Sequence, residues 1–450
     1  MVGQASAKRV LVANRGEIAA RVIRAVQGLG WHAIAVHSEV DGDSPHVRMA
    51  DSAAPIGPAQ AHKSYTNIEA VLHAARETGA ELVHPGYGFL SENGDFARAV
   101  ERAGLTWVGP RPEVIERMGD KLEARNIAAA AGVPVLPGTH EPVAPEQAVE
   151  LAREIGFPLM IKAVGGGGGI GIARVEDEAQ LEKAVEGVQH RARTLFGNDR
   201  LYLERFLENP RHIEIQVFAD HHGRRIHLGE RECSIQRRHQ KVVEEAPSPL
   251  ADESMRQAMG EAALKLVDAV NYTNAGTVEF LADNDGNFYF MEMNTRIQVE
   301  HPVTELVTGT DLVAEQLRVA LGEPLTLEPT PPAGHAIEVR LYAENPEKKL
   351  LPSPGTIERI TLPVGEGIRV EHAMRDGIKI TPFYDPMIAK IVTHGRDRAT
   401  AIDRMREALG QTRVEGIRTN LPLLLQILEK DDFREGRLST DFMREHFGIA

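Results

Sequence analysis

Hydrophobic positions in the first 120 residues come in short runs separated by amphipathic stretches. The run at 9–13 leads into Asn14-Arg15-Gly16-Glu17 and then a helical pattern with apolar Ile18, Val22 and Ala25. Further strands are expected at 31–36, at Leu82-Val83 and at Trp107-Val108. Strands spaced by helices of this length predict a parallel, doubly wound sheet, because parallel neighbours need a crossover and a helix usually supplies it. The first turn lacks G-x-G-x-x-G, so no dinucleotide site is expected there.

Beyond this unit, helical residues around 119–131 run into Gly132-Val133-Pro134, a stop signal. A smaller unit follows, with a helix near 145–155, a strand at 159–164, a glycine run and a helix near 177–193. The remainder alternates hairpin-like strands (213–218, 226–230, 277–281 and 288–292) with helices. Asn284-Asp285-Gly286-Asn287 has good hairpin-turn chemistry. The expected division is 1–117, a linker at 118–133, a glycine-loop unit at 134–204, and 205–450.

A length of 450 residues fits two to four structural units. Hydrophobic residues make up 42% and charged ones 26%, the balance of a soluble globular chain. The single cysteine, Cys233, excludes an internal disulfide and suits a reducing compartment. No apolar run reaches the roughly 18 residues of a membrane span, and no secretory leader pattern opens the chain, so the cytoplasm is expected. The net charge of −14 argues against non-specific nucleic-acid binding. Basic residues cluster locally over 231–241, which suggests anion capture against an acidic background.

Three segments carry candidate chemistry. In the run 162–171, Lys162 precedes five consecutive glycines, Gly165 to Gly169. Their backbone can close over phosphate oxygens while Lys162 supplies a point charge, although such a run can also be a plain linker. Glu279 and Glu292 flank the Asn-Asp-Gly turn on neighbouring strands, and Asn294 shares a face with Glu292. Two carboxylates and an amide oxygen converging there would suit Mg²⁺ bridging nucleotide phosphates. In 296–301, Arg296, Gln298 and Glu300 alternate, which on an extended segment sets an anion binder beside a general-base candidate.

Four longer motifs carry a resemblance. They are Asn14-Arg15-Gly16-Glu17-Ile18-Ala19, the stretch His84 to Asn93, the stretch Cys233 to Glu245 with Gln-Arg-Arg-His-Gln-Lys, and Glu292 to His301. Across nearly the whole chain the sequence resembles biotin carboxylase, the ATP-grasp subunit or domain of biotin-dependent carboxylases. The resemblance implies a mixed α/β fold with a Rossmann-like N-terminal domain, a mobile lid bearing the glycine loop (Gly167, Gly168, Gly169), and a C-terminal domain.

It further implies that Lys121 and Lys162 bind ATP phosphates, with His212, Gln236 and His239 around the nucleotide. Glu204 and Leu207 would sit at its adenine and ribose end. Glu279, Glu292 and Asn294 would hold Mg²⁺ or Mn²⁺; Lys241, Arg296, Gln298 and Val299 would hold bicarbonate. Glu300 would be the base and Arg340 would steady the biotin enolate. Partners implied are a biotin carboxyl carrier, a carboxyltransferase and a second copy of the chain, with an acyl-CoA as the expected final acceptor.

The chain departs from the family at Ile170-Gly171-Ile172, where many members have Arg-Gly-Met, and it has no Ala-Met-Lys-Met biotinylation motif. Biotin must then arrive from outside this chain. Two other readings fit parts of the pattern. A carboxylate–amine ligase would share the glycine loop and the Glu279/Glu292 pair without needing Arg296, Glu300 and Arg340 together. A non-catalytic assembly subunit would show decay of these polar positions, which are intact.

Overall fold

A computed structural model describes residues 7–144, 147–164 and 171–449. The glycine run with Gly167, Gly168, Gly169 and Ile170 lies outside the described residues.

The N-terminal unit contains β1 (Arg9–Val12), α1 (Gly16–Gly28), β2 (His32–Ser38), α2 (Pro45–Met49), β3 (Ser52–Gly57), α3 (Ile68–Glu77), β4 (Leu82–His84), α4 (Gly94–Arg102) and β5 (Thr106–Trp107). The strands are parallel in the order β3-β2-β1-β4-β5. Successive residues of β1 feed two cores. Val10 and Val12 pack with Ile18 and Val22 of α1, while Leu11 packs with Val71 of α3 and Phe96 of α4. Burying each such side chain contributes about 1.5–3 kcal/mol. β3 was not anticipated; it is an edge strand containing Pro55, which removes a ladder donor where none is needed.

The strand order reverses between β1 and β4, the switch point where open α/β sheets bind ligands. Asn14 ties the two loops there by donating from Nδ2 to the carbonyls of Pro85 (2.7 Å) and Tyr87 (2.8 Å).

Helix α5 (Pro112–Gly119) ends at the start of the expected linker, 118–133, and α6 (Lys121–Ala130) occupies it. Asp120 separates them. Its backbone is extended and its carboxylate accepts from the N–H groups of Leu122 and Glu123, capping α6. The small unit has α7 (Ala148–Ile155), β6 (Leu159–Ala163), β7 (Ile172–Val175), α8 (Glu178–Phe196) and β8 (Leu201–Arg205). Its antiparallel sheet, β7-β6-β8, has its own core around Leu159, Ile161, Leu181 and Leu203.

The large antiparallel sheet has eight strands. It contains β9 (Arg211–Ala219), β10 (Arg225–Arg237), β11 (Gln240–Ala246), β12 (Asn274–Ala282), β13 (Phe288–Asn294) and β14 (His335–Tyr342), in the order β13-β12-β9-β10-β11-β14. The strands Met387–Gly395 and Ile368–His372 extend it beyond β14. Helix α9 (Glu253–Ala269) packs Met259 and Leu266 on Ile213, Ile215, Val278 and Phe280. The alternate residues His212, Glu214, Gln216 and Glu279 face the other way, yet they too are buried. A buried polar face costs free energy unless it is paired; here His212 and Glu279 line a cavity. Helices α10 (His301–Thr308), α11 (Leu312–Ala320) and α12 (Arg398–Gln411) complete the main cover.

Candidate active site

A cavity of about 800 Å³ opens between the switch-point loops, the small unit and the polar face of the large sheet. The register of the sheet builds its floor. Glu279 of β12 stands opposite Glu292 of β13 on one side and Glu214 of β9 on the other. Like charges directly opposite are destabilising, so this row needs cations.

Lys241 of β11 supplies the central one. Its Nζ donates to Glu214 (2.5 Å), Glu279 (3.0 Å) and Glu300 (2.6 Å). Glu279 also lies 3.0 Å from His212 Nε2 and accepts from Asn294 Nδ2 (2.8 Å) and Gln298 Nε2 (2.7 Å). Burial opposes its ionisation, but Lys241 and His212 overcome this and hold its carboxyl well below the usual range. Glu292, about a third exposed, takes Lys121 Nζ at 2.9 Å. The sequence-based placement of Glu279 beside Glu292 therefore holds in register.

The donor chemistry fits a hard divalent cation: two carboxylates open to one cavity, with the Asn294 amide two residues along. His212, Glu214 and Glu279 also bring potential ligand atoms within 4.8 Å of one another. Glu214, however, does not line the cavity and is held by Arg231 and Lys241, whereas Glu279 and Glu292 both line it, so that pair is the better match.

The segment 296–300 was expected to be extended throughout, and here the structure differs. The strand ends at Asn294, and a turn at Val299-Glu300 makes Glu300 the N-cap of α10. Arg296 and Gln298 face the cavity while Ile297 is buried in the opposite direction, so alternation holds that far. Glu300 reaches the cavity through the turn instead. Arg296 donates to Asn294 Oδ1 (2.8 Å) and to Glu92 (3.1 Å). Val299 lines the cavity, and its carbonyl accepts from the buried Lys390 (2.5 Å).

Arg340 of β14 is buried, not a surface ion pair. Its guanidinium contacts Glu244 (2.6 Å from Nε and 2.5 Å from Nη2) and Glu300 (3.0 Å). Burial disfavours the ionised form of Glu300, yet Lys241 and Arg340 hold its carboxyl far below the ordinary value. Burial instead pushes Glu244 up to about 7, against the pull of Arg340, with the nearby charge of Glu300 adding to the rise.

At the other end of the cavity, Lys121 begins α6 and Lys162 lies on β6, where it pairs with Glu204 of β8. Leu207 lines the wall nearby. Gln236 donates to His212 Nδ1 (2.6 Å). The β10–β11 hairpin turns through Arg238 and His239, both with positive φ, +52° and +62°. A two-residue turn of this hand normally uses glycine or asparagine; bulky residues held there are strained, a feature that clusters at functional sites. The turn sets His239 at the cavity wall, where burial and then Lys121 and Lys162 lower its pKa.

The basic run at 231–241 is not one anion-binding surface. Arg231 is fully buried and bonded within the protein, and Arg237 pairs with Glu344 (2.9 Å). Only Gln236 and the residues from Arg238 to Lys241 line the cavity. Cys233 is buried and its thiol pKa is pushed well up by burial, consistent with a structural cysteine.

Sequence reasoning gave no role to Glu214, Glu244 and Glu92, the acids that hold Lys241, Arg340 and Arg296. Nothing in a single sequence pairs them with their partners. Arg15, which pairs with Asp41 (2.6 Å) and lies over the Tyr384 ring, sits in a motif that was visible without its role.

Comparison with known proteins agrees with this architecture. Residues 6–115 match the family "Biotin carboxylase, N-terminal domain", 120–328 match "Carbamoyl-phosphate synthase L chain, ATP binding domain", and 338–445 match "Biotin carboxylase C-terminal domain". The chain is 52% identical over 445 residues to a biotin carboxylase of Halalkalibacterium halodurans, covering 98% of each. It is 46% identical to the mitochondrial methylcrotonoyl-CoA carboxylase subunit alpha of Rattus norvegicus, over 98% of this chain and 62% of that protein. Among solved structures, it superposes with a TM-score of 0.94 on the biotin carboxylase domain dimer of Hydrogenobacter thermophilus 2-oxoglutarate carboxylase. That structure is a complex with MgADP, ADP and bicarbonate; identity is 48%, over 98% of this chain and 97% of that one.

Proposed function

This chain belongs to the biotin carboxylase family, and we propose how its residues carry out the first half-reaction of a biotin-dependent carboxylase. In that reaction MgATP and bicarbonate carboxylate N1′ of a biotin brought by a carrier, by way of carboxyphosphate. The observation that carries the assignment is the Glu300 carboxylate, clamped between Lys241 and Arg340 beside the Glu279/Glu292 pair.

Lys121 and Lys162 would meet the nucleotide phosphates together with the glycine loop. His212, Gln236 and His239 would surround the nucleotide, with Glu204 and Leu207 toward its adenine and ribose. Glu279, Glu292 and Asn294 would hold Mg²⁺ or Mn²⁺. That ion, when bound, offsets charge on the phosphate oxygens.

Lys241, Arg296, Gln298 and Val299 would hold bicarbonate against Glu300. Locked in its ion pairs, Glu300 is ionised but weakly basic. An anion arriving beside Lys241 and Arg296 diverts part of their pull and raises that basicity toward the working pH. Glu300 then accepts the bicarbonate proton as the oxygen attacks the γ-phosphorus and ADP departs, a step governed by positioning and electrostatics. Carboxyphosphate breaks down to CO₂ and phosphate, and the phosphate takes the N1′ proton. Arg340 would face the ureido oxygen as negative charge builds there, and N1′ then attacks CO₂ to form the N–C bond.

The division at 117, 133 and 204 is proposed to let the small unit close as a lid and keep water from carboxyphosphate. A carrier, a carboxyltransferase, a second copy of the chain and a cytoplasmic location complete the reading; among the described residues no helix is long and apolar enough to cross a membrane. We take an acyl-CoA as the final acceptor, supported by the methylcrotonoyl-CoA relative, with a 2-oxo acid as the competitor. The test is ADP release. It should require bicarbonate and rise with free biotin, and an ADP rate indifferent to both would overturn the proposal.

A further inference from the structure

Arg231 lies on β10, fully buried, opposite Glu214 in register on the polar face of the large sheet and outside the cavity lining. Its guanidinium has five N–H groups, and each meets an acceptor. Nε donates to Glu214 Oε1 (2.5 Å). Nη1 donates to Gln216 Oε1 (2.7 Å) and Thr304 Oγ1 (3.0 Å). Nη2 donates to Thr277 Oγ1 (3.1 Å) and Gln298 Oε1 (2.5 Å). One side chain thereby joins β9, β12, α10 and the segment carrying Gln298.

Two of these bonds set the outward direction of groups in the cavity. With its oxygen held by Arg231, the Gln298 amide must turn its NH₂ the other way, where Nε2 sits 2.7 Å from Glu279. A flipped amide would set donor against donor. Glu214 is likewise divided, one oxygen on Arg231 and the other on Lys241 Nζ (2.5 Å). We propose that Arg231 is a positioning residue, fixing Gln298 as a donor and Lys241 in place for an anion it never touches. This rests on the proposed placing of bicarbonate at Gln298 and Lys241. A lysine offers at most three donors from a single point, so it cannot satisfy all five acceptors.

The test compares Arg231→Lys, Gln298→Ala and the double variant in steady-state bicarbonate-dependent ATP cleavage, with thermal melts as a check on folding. Arg231→Lys should raise KM for bicarbonate about tenfold or more and leave KM for ATP within about twofold. In the Gln298→Ala background the same change should add less than about threefold, because coupled residues are not additive. A bicarbonate KM unmoved by Arg231→Lys, an equal rise in both KM values, or full additivity in the double variant overturns the proposal. A bicarbonate KM unmoved by Gln298→Ala overturns the bicarbonate placing itself. Should Arg231→Lys fail to fold, Thr277→Val removes one acceptor from the same Nη2. It should raise the bicarbonate KM about threefold, and no change there likewise overturns the proposal.

Discussion

Replacing Glu300 by glutamine keeps the shape of the side chain and removes its charge and its basicity. The surrounding contacts indicate what survives. Lys241 retains Glu214 and Glu279, and Arg340 retains both contacts to Glu244. The variant should therefore fold and bind MgATP. It loses two charge-assisted hydrogen bonds, each worth about 1.5–3 kcal/mol. Relief of repulsion from Glu244, whose pKa is raised in part by Glu300, offsets some of that loss. Net destabilisation should therefore lie below the roughly 3–6 kcal/mol of the two bonds together. Catalysis is another matter. Loss of a general base costs about 10²–10⁴-fold, or about 3–5 kcal/mol on the barrier. The assay is ADP release with saturating bicarbonate and biotin, alongside nucleotide affinity by calorimetry. Turnover within a few-fold of wild type, with binding intact, would place the base elsewhere.

Other expectations follow from the same contacts. Arg340→Gln should cut biotin carboxylation by orders of magnitude while affecting biotin-independent ATP cleavage much less; equal loss of both rates would indicate a structural or bicarbonate role. Glu292→Ala should shift the Mg²⁺ titration of ATP cleavage to higher concentration and lower its maximum, and an unchanged titration would remove Glu292 from the metal site. Glu245 lies away from the cavity. Burial opposes its ionisation, but Arg398 and His335 hold its pKa at about 2. A folded-state pKa below the unfolded one contributes stability above the ordinary carboxylate range, lost as pH falls toward about 2. Glu245→Gln should thus cost about 3 kcal/mol near neutral pH and flatten the acid limb of the stability curve; an acid limb identical to wild type contradicts this.

How far the sequence could be read depended on whether partners were local or distant. Glu279 and Glu292 flank one hairpin, and the turn chemistry between them was enough to put them opposite each other. The strand–helix rhythm of the first 117 residues and the face shared by Arg296 and Gln298 were equally local. Glu244 and Glu214 were not legible as partners. Glu244 meets Arg340 across 96 residues, and Glu214 meets Lys241 across 27, through a register that no single strand specifies. Arg231 was misread for the same reason. A basic residue in a basic run resembles an anion binder until the five acceptors gathered from other elements are seen around it. Glu300 reached its expected place by an unexpected route, a helix cap instead of an extended strand.

The proposed reaction uses bicarbonate and ATP in this cavity to place a carboxyl group on biotin. Its most direct test is trapping of labelled carboxybiotin from [¹⁴C]bicarbonate, measured against ADP formed in the same reaction. With free biotin or a biotinylated carrier, label should enter biotin only when MgATP is present, and Arg340→Gln should abolish the label while sparing much of the ADP. ADP formation with no label in biotin from the wild-type protein, under conditions that preserve carboxybiotin, would contradict the account.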